Sequence, residues 1–443
     1  MKLLILGAGV SGINAAIHAK KINPNAEILV LDNKKTIGYS PCALPYVIEG
    51  EIKKENIFEF KKEFLEGLGI KIILGKEIKE IITKEKKVVL EGNETFSYDK
   101  LIIAQGSGVI IPEIEGIKDT KFFTLKTIED FEALENRIQW MLKNNKKKVL
   151  IIGAGFIGLE IAEALVKKRL EVRMIEFKNR ILSQMLDEDT ASIVLKEIQK
   201  NGVDVRLNEK IQKIEQERAF TNKGVYDFDI LIIATGVVPN INLLKKTSIR
   251  TNIGIIVNEK LETSEKDVYA CGDCIEIKNK ITGKNIPIPL ANIALKTSEI
   301  AANNALSEKK IIIEPAIINS ITKIFGMEIA SVGITEEEAR NNNIKFESAL
   351  ITSRTREVYY KGNEIIVKII SDYAQRIIGV QIIGKEDVAL RADIVALAIK
   401  KDLKLNDLIF LENAYSPLTS PAIEPLSIAA KYCLKKMNSK KAV

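Results

Sequence analysis

Cysteine supplies the most reactive nucleophile available to this chain of 443 residues, and there are four: Cys42, Cys271, Cys274 and Cys433. Cys42 lies in Ser40-Pro41-Cys42-Ala43-Leu44-Pro45-Tyr46, where Ser40 can cap a helix and Pro41 can take its first position. A cysteine in that first turn has its thiolate stabilised by the positive helix end, and the thiolate is the reactive form. Pro45 lacks an N–H, which predicts a short or distorted helix. A buried structural cysteine beside a turn fits the local residues equally well. Cys271-Gly272-Asp273-Cys274 is formally a C-x-x-C. It has no second C-x-x-C or histidine partner, so small buried cysteines are expected there and no metal site. Cys433, near the end, reads as a core or surface cysteine.

A second chemistry is anion binding by glycine-rich turns. In Gly7-Ala8-Gly9-Val10-Ser11-Gly12, Gly7 permits a tight turn, Gly9 lets backbone approach a pyrophosphate, and Gly12 lets a helix pack close to the preceding strand. The pyrophosphate then meets free N–H groups at the helix N-terminus. Asp32, twenty residues after Gly12, is spaced to hydrogen-bond a ribose hydroxyl. Gly153-Ala154-Gly155-Phe156-Ile157-Gly158 repeats the pattern, with Glu176 eighteen residues on. A carboxylate there repels a 2′-phosphate and favours NADH over NADPH, while Arg173, Lys178 and Arg180 nearby oppose that preference and keep NADPH open. Two dinucleotide sites in one chain point to a flavin and a nicotinamide, since hydride passes from one to the other.

The elements that must position these residues repeat. LILGAGVSGINAA at 4–16 recurs as LIIGAGFIGLEIA at 150–162, with seven of thirteen positions identical. Each copy predicts strand, turn and helix, followed by a second strand ending at Asp32 or Glu176, so two βαβ units are present. A second echo, LIIAQG at 101–106 and LIIATG at 231–236, marks strand ends at Ala104, Gly106 and Gly236. An amphipathic stretch near 127–142 and a lysine-rich turn at 146–148 separate the copies. Beyond about residue 315, segments such as ITKIFGMEIASVG and NEIIVKIISD precede a helix near 386–401, without a further glycine turn. The fold class read from this is α/β: two Rossmann-like dinucleotide-binding domains plus a C-terminal α+β domain.

Length at roughly 150 residues per domain also gives about three domains. The apolar fraction of 46% and charged fraction of 28% exclude a disordered or fibrous chain. Sixty-six basic against 59 acidic residues leave +7, a mild excess compatible with an anionic ligand and not indicative of nucleic acid. Four cysteines are too few for a disulfide scaffold at this length, so a cytoplasmic location is expected. Gly7 and Gly9 interrupt the first apolar run, which reads as a strand rather than a signal peptide, and no run reaches the roughly 18 apolar residues of a membrane span.

Both turns, the two ATG-like strand ends and TSEKDVYACGD at 263–273 resemble the pyridine nucleotide-disulfide oxidoreductases over essentially the whole chain. The resemblance implies FAD at the first turn, NAD(P)H at the second, and Asp273 with Gly272 on the flavin ribityl chain. Gln105 departs from the usual Thr. SPCALPYV resembles the single-cysteine branch, which holds CoA-disulfide reductases, NADH oxidases and NADH peroxidases. Val47 stands where the dithiol branch has its second cysteine, and Val10 where peroxidases and water-forming oxidases carry histidine. In this branch Cys42 faces the flavin, and Tyr359 and Tyr415 of a partner subunit complete its site in a homodimer. Ser40, Lys20 and Lys21 match substrate positions, the lysines those that contact CoA phosphates. Pro41 stands where many CoA-disulfide reductases have Asn. His18, the one histidine, reads as a surface residue. Phe156 resembles the aromatic gate over the flavin, Glu160 a residue that positions flavin and nicotinamide, and Ala291 starts a helix aimed at the flavin ring.

The domains implied are an FAD-binding domain in two segments, 1–115 and 249–315, around an NAD(P)H-binding domain at 116–248, with a dimerisation domain at 316–443. The activity implied is passage of hydride from NAD(P)H through FAD to Cys42, reducing CoA disulfide or a related disulfide or polysulfide. Peroxide-forming reduction of O2, or electron transfer to a small redox protein, are the alternatives on the same scaffold.

Overall fold

Short strands with apolar, buried centres build two parallel sheets, as crossover helices on each face require. The computed structural model describes residues 1–441. In the first sheet the strands run in the order Val268–Ala270, Lys100–Ile103, Lys2–Leu6, Glu27–Asp32, Ile70–Leu74, all parallel. Its outer strand, Val268–Ala270, comes from a segment that follows the second βαβ unit in the chain. Ile241, Leu243 and Leu244 already pack on this core, a few residues ahead of the 249 expected from sequence. The second sheet is Asp204–Arg206, Glu171–Ile175, Lys148–Ile152, Ile230–Ile233, again parallel.

The two echoed strand ends are stitched together. Immediately after them, Ser107–Val109 and Val237–Pro239 pair antiparallel, and the Thr235 hydroxyl donates to the Ile110 carbonyl at 2.6 Å. Gly106 (φ +64) and Gly236 (φ +111) take left-handed turns that a side chain would strain.

The third domain is a five-stranded antiparallel sheet, Asn319–Ile324, Met327–Gly333, Ile377–Gly384, Glu364–Asp372, Phe346–Arg354. Helices Val388–Lys400 and Pro425–Lys441 flank it. The amphipathic stretch near 127–142 forms the helix Ile128–Lys143, started by a Thr127–Asp130 capping box. No helix among the described residues is long and apolar enough to cross a membrane.

Candidate active site

The two glycine turns divide their glycines by task. A Cβ on Gly7 (φ +107) would lie 2.2 Å from the Ala104 carbonyl oxygen, and one on Gly12 would lie 1.8 Å from that of Gly7. Both are demanded by packing. A Cβ on Gly9 would meet nothing within 4 Å; this glycine leaves open the N-terminus of the helix Val10–Ile22, which no side chain caps. The second turn repeats this, with Gly153 and Gly158 crowded, Gly155 open, and the helix Phe156–Lys167 uncapped. Each turn is held by its acidic residue: Asp32 accepts from the Ala8 N–H at 2.5 Å and the Lys34 N–H at 2.9 Å. Glu176 accepts from the Ala154 and Lys178 N–H groups, both at 2.8 Å. Two open, uncapped helix N-termini at the carboxyl ends of parallel strands can each accommodate a dinucleotide pyrophosphate.

Of the three basic residues near Glu176, Arg173 and Arg180 are occupied, while Lys178 is exposed. Arg173 donates to Asp204 at 2.6 Å and stacks over Tyr226. Arg180 donates to the Leu186 carbonyl at 2.8 Å and pairs with Glu337.

Cys42 sits in a three-residue 3-10 turn, Pro41–Ala43, that runs into the short helix Leu44–Glu49. The expected Ser40 cap does not form: its side chain makes no capping bond, and its main chain is spent on the Ile57 carbonyl and the Ala43 N–H. One turn followed by a proline-containing helix leaves little dipole to favour a thiolate. Desolvation pushes the Cys42 thiol above its ordinary value, Glu160 adds to the rise, and Lys126 opposes it. The protein groups around Cys42 thus act against the thiolate stabilisation expected of a first helical turn. Cys42 is nonetheless the exposed cysteine; Cys271, Cys274 and Cys433 are buried. Burial drives the Cys274 thiol up to about 12 and Cys271 well above its ordinary value, in keeping with small buried cysteines. No metal-holding cluster of His, Cys, Asp or Glu occurs among the described residues.

Three segments bring side chains toward Cys42. Leu44 and Ile48 join the core formed by the helix Phe156–Lys167 and by Ile324, Met327 and Ile329 of the third domain. From that helix comes Glu160, whose Oε1 accepts from the Thr322 hydroxyl at 2.7 Å. Burial raises its carboxyl, the Thr322 bond opposes the rise, and Glu163 adds to it. It is therefore not an ordinary helix-surface charge. Lys126 Nζ donates to the Ser107 hydroxyl at 2.9 Å and lies 3.5 Å from Asp273 Oδ2, which also accepts from Ser107 at 2.8 Å. The Tyr39 hydroxyl accepts the Ile128 N–H at 3.1 Å, tying the cysteine loop to the segment that carries Lys126. Sequence reasoning missed Lys126, Ser107, Tyr39 and Thr322, which belong to no spaced motif.

Gly272 (φ +78) donates its N–H to Thr297 at 3.0 Å, and a Cβ there would strike the Ser11 hydroxyl. Ala291 is the exposed first residue of the helix Ala291–Leu306. Phe156 is the first residue of its helix and half-buried. His18 is not a free surface residue: its Nε2 lies 3.1 Å from Glu299 Oε1, joining helices Val10–Ile22 and Ala291–Leu306. Lys20 donates to the Pro24 and Ala26 carbonyls at 3.1 and 2.8 Å, the helix-terminus role, while Lys21 is exposed. Tyr359 and Tyr415 are brought near one another on the third domain, both exposed, and the neighbouring Tyr415 hydroxyl raises the Tyr359 phenol. Neither is joined to Cys42 within the single chain by any hydrogen bond among the described residues.

A family model described as "Pyridine nucleotide-disulphide oxidoreductase" matches residues 1–297, and one described as the dimerisation domain of the same family matches residues 320–426. A protein of Methanocaldococcus jannaschii named NADH oxidase is 36% identical over 453 residues, covering 99% of this chain and 100% of its own. A CoA-dependent NAD(P)H sulfur oxidoreductase of Pyrococcus furiosus is 34% identical over 440 residues, 97% of this chain and 98% of its own. Among solved structures, an NAD-dependent persulfide reductase from A. fulgidus superposes with a TM-score of 0.95 at 30% identity, covering 99% of this chain and 84% of that one.

Proposed function

This chain belongs to the pyridine nucleotide-disulphide oxidoreductase family, and from that premise we propose that it is an FAD-dependent NADH oxidoreductase that reduces CoA disulfide or a related disulfide or polysulfide through Cys42 alone. The observation that carries the proposal is the exposed Cys42 among three buried cysteines, with charged groups of three separate segments, Glu160, Lys126 and Asp273, acting on it.

Open turns at Gly9 and Gly155 fit the pyrophosphates of FAD and NADH, with Asp32 and Glu176 toward the riboses and Asp273 toward the ribityl chain. Phe156 would cover the face of a bound flavin until nicotinamide enters, and Ala291 would set a helix N-terminus toward its ring. Bound FAD would supply acceptance of hydride from the nicotinamide and delivery of an electron pair to Cys42. Arg173 and Arg180 are held elsewhere, which leaves the exposed Lys178 as the remaining one of the three cations opposing the Glu176 carboxylate, and the balance favours NADH.

The Cys42 thiolate attacks one sulfur of RSSR, forming Cys42–S–S–R and releasing RS⁻. Two electrons from NADH cleave the new S–S bond, freeing the Cys42 thiolate and a second RS⁻. One proton taken from solvent and the sum RSSR + NADH + H⁺ → 2 RSH + NAD⁺ close the balance. With Val10 in place of an imidazole at the first turn, protonation of the departing thiolate falls to the Tyr359–Tyr415 pair of the partner subunit in a homodimer. Lys21 lies free for a CoA phosphate, while Lys20 is engaged with carbonyls. Relatives named NADH oxidase and sulfur oxidoreductase keep O2 and polysulfide as competing acceptors.

Anaerobic NADH turnover with CoA disulfide, set against peroxide release in air, separates these acceptors. Cys42→Ser is expected to lower disulfide turnover on the order of a thousandfold; an unchanged rate contradicts the cysteine mechanism.

A further inference from the structure

Two loops carry the tyrosine pair, and both are fastened to one carboxylate. The loop from Thr355 to Asn363, which holds Tyr359, closes at its neck: the Thr355 N–H donates to the Asn363 carbonyl at 2.9 Å and the Asn363 N–H to the Thr355 hydroxyl at 3.0 Å. Glu386, in the turn between the strand Ile377–Gly384 and the helix Val388–Lys400, sits at that neck. Its Oε1 accepts from the Thr355 hydroxyl at 2.7 Å and from Asn363 Nδ2 at 2.9 Å, and its Oε2 pairs with Arg356. Arg356 in turn reaches the second loop, with Nη1 3.5 Å from the Leu418 carbonyl, three residues beyond Tyr415. Glu357 completes the tie by accepting the Ala422 N–H at 3.2 Å.

The loop of nine residues joins no strand ladder and holds only the single 3-10 turn Val358–Tyr360, so where that turn sits depends on such neck bonds. Charge-assisted bonds are roughly twice as strong as neutral ones, and Glu386 gathers three partners on a single charged group. Those partners hold its carboxyl down to about 2, so the fastening keeps its charge across the working pH range. Gly362 confirms how closely the loop is folded, since a Cβ there would lie 2.1 Å from the Arg356 carbonyl oxygen.

We propose that Glu386 is a positioning residue that sets the Tyr359–Tyr415 pair for use by the opposite subunit. Its catalytic consequence rests on the role given to that pair above; the fastening itself does not.

The test uses the full-length holoenzyme and Glu386→Gln, with Glu386→Asp as the conservative variant and Arg356→Met as an independent cut in the same tie. Amide exchange in 355–363 is expected to quicken about tenfold or more in Glu386→Gln and Arg356→Met and to recover in part in Glu386→Asp. KM for CoA disulfide is expected to rise about tenfold with bleaching of the flavin by NADH unchanged. In a Tyr359→Phe/Tyr415→Phe background, Glu386→Gln should add nothing. Unchanged amide exchange overturns the inference whatever the kinetics. Loss of turnover that adds fully to the tyrosine variant also overturns it, because Glu386 then acts by another route. A kinetically silent tyrosine variant, with exchange altered as expected, overturns the role of the tyrosines and leaves the fastening standing.

Discussion

Cys42 has neighbours that pull in opposite directions. Glu160 and Asp273 disfavour its thiolate, Lys126 favours it, and desolvation, the largest influence, disfavours it. A thiol held high is a stronger nucleophile once ionised, at the expense of the fraction ionised. Alkylation by iodoacetamide reads that fraction directly. Glu160→Gln should move the rise in alkylation rate to lower pH, and Lys126→Met to higher pH; movement in the reverse sense, or none, contradicts this electrostatic reading. Glu160 and Asp273 are identifiable from sequence through the family resemblance, but their closeness to Cys42, and Lys126 altogether, cannot be read there. All three stand 84 to 231 positions away in the chain and follow no spacing rule, so only the tertiary fold brings them to the thiol. Ser40 illustrates the converse: a good capping residue by type makes no cap, because the turn after it is too short to leave the N–H groups of a true first helical turn.

At the scale of elements, each βαβ turn contains two glycines that packing demands and one, Gly9 or Gly155, that packing leaves open and that we propose serves binding. Gly12→Ala places a methyl 1.8 Å from the Gly7 carbonyl oxygen and should destabilise the protein by about 3 kcal/mol, enough to lower soluble yield. Gly9→Ala meets no protein atom within 4 Å and should fold normally while binding FAD weakly, as flavin retention on gel filtration would show. Equal flavin retention in wild type and Gly9→Ala would remove the pyrophosphate from that turn. These turns were legible because their signal is local: fixed glycine spacing, a strand before, a helix after, an acid about twenty residues on. The helix Ile128–Lys143 was legible for the same reason, through its 3.6-residue periodicity. The fastening at Glu386 was not, since Thr355, Asn363 and Glu386 meet only after a strand of the sheet returns.

Across the whole molecule, the second βαβ unit is docked on the third domain by an ionic cluster centred on a buried lysine. Lys368, 3% exposed, lies 2.8 Å from Asp189, 2.8 Å from Glu336 and 3.3 Å from Asp187. Gln381 donates to Asp187 at 2.7 Å. Burial alone would lower the Lys368 ammonium, but its bonds to Asp189 and Glu336 hold it above its ordinary value. Burial likewise would raise Glu336, and Lys368 holds it below. The Glu336 contribution to stability is therefore present above the unfolded carboxylate value of about 4.3 and lost as pH falls through the folded one. The Lys368 contribution is present below its unfolded value of about 10.4 and lost as pH rises through the folded one. Lys368→Met removes the cation shared by three carboxylates, of which Asp187 keeps Gln381 and Glu336 keeps Arg340 and Ser348, and should cost about 3 kcal/mol, with a lowered Tm at neutral pH and a shallower acid limb; an unchanged Tm contradicts the docking role. Domain number and class were readable from the duplicated motif, whereas this inter-domain contact, made by single charges on strands and helix ends, was not.

The central claim is that electrons leave this protein through Cys42 and no other cysteine. The most direct measurement is anaerobic mixing of the holoenzyme, with Cys42 as the free thiol, the flavin oxidised and NADH removed, with one equivalent of CoA disulfide, followed by acid quench and peptide mass analysis without reductant. The account predicts one CoA-mass adduct per subunit, on the peptide that contains Cys42. An adduct on Cys271, Cys274 or Cys433, or complete reduction of CoA disulfide by a Cys42→Ser protein, would contradict it.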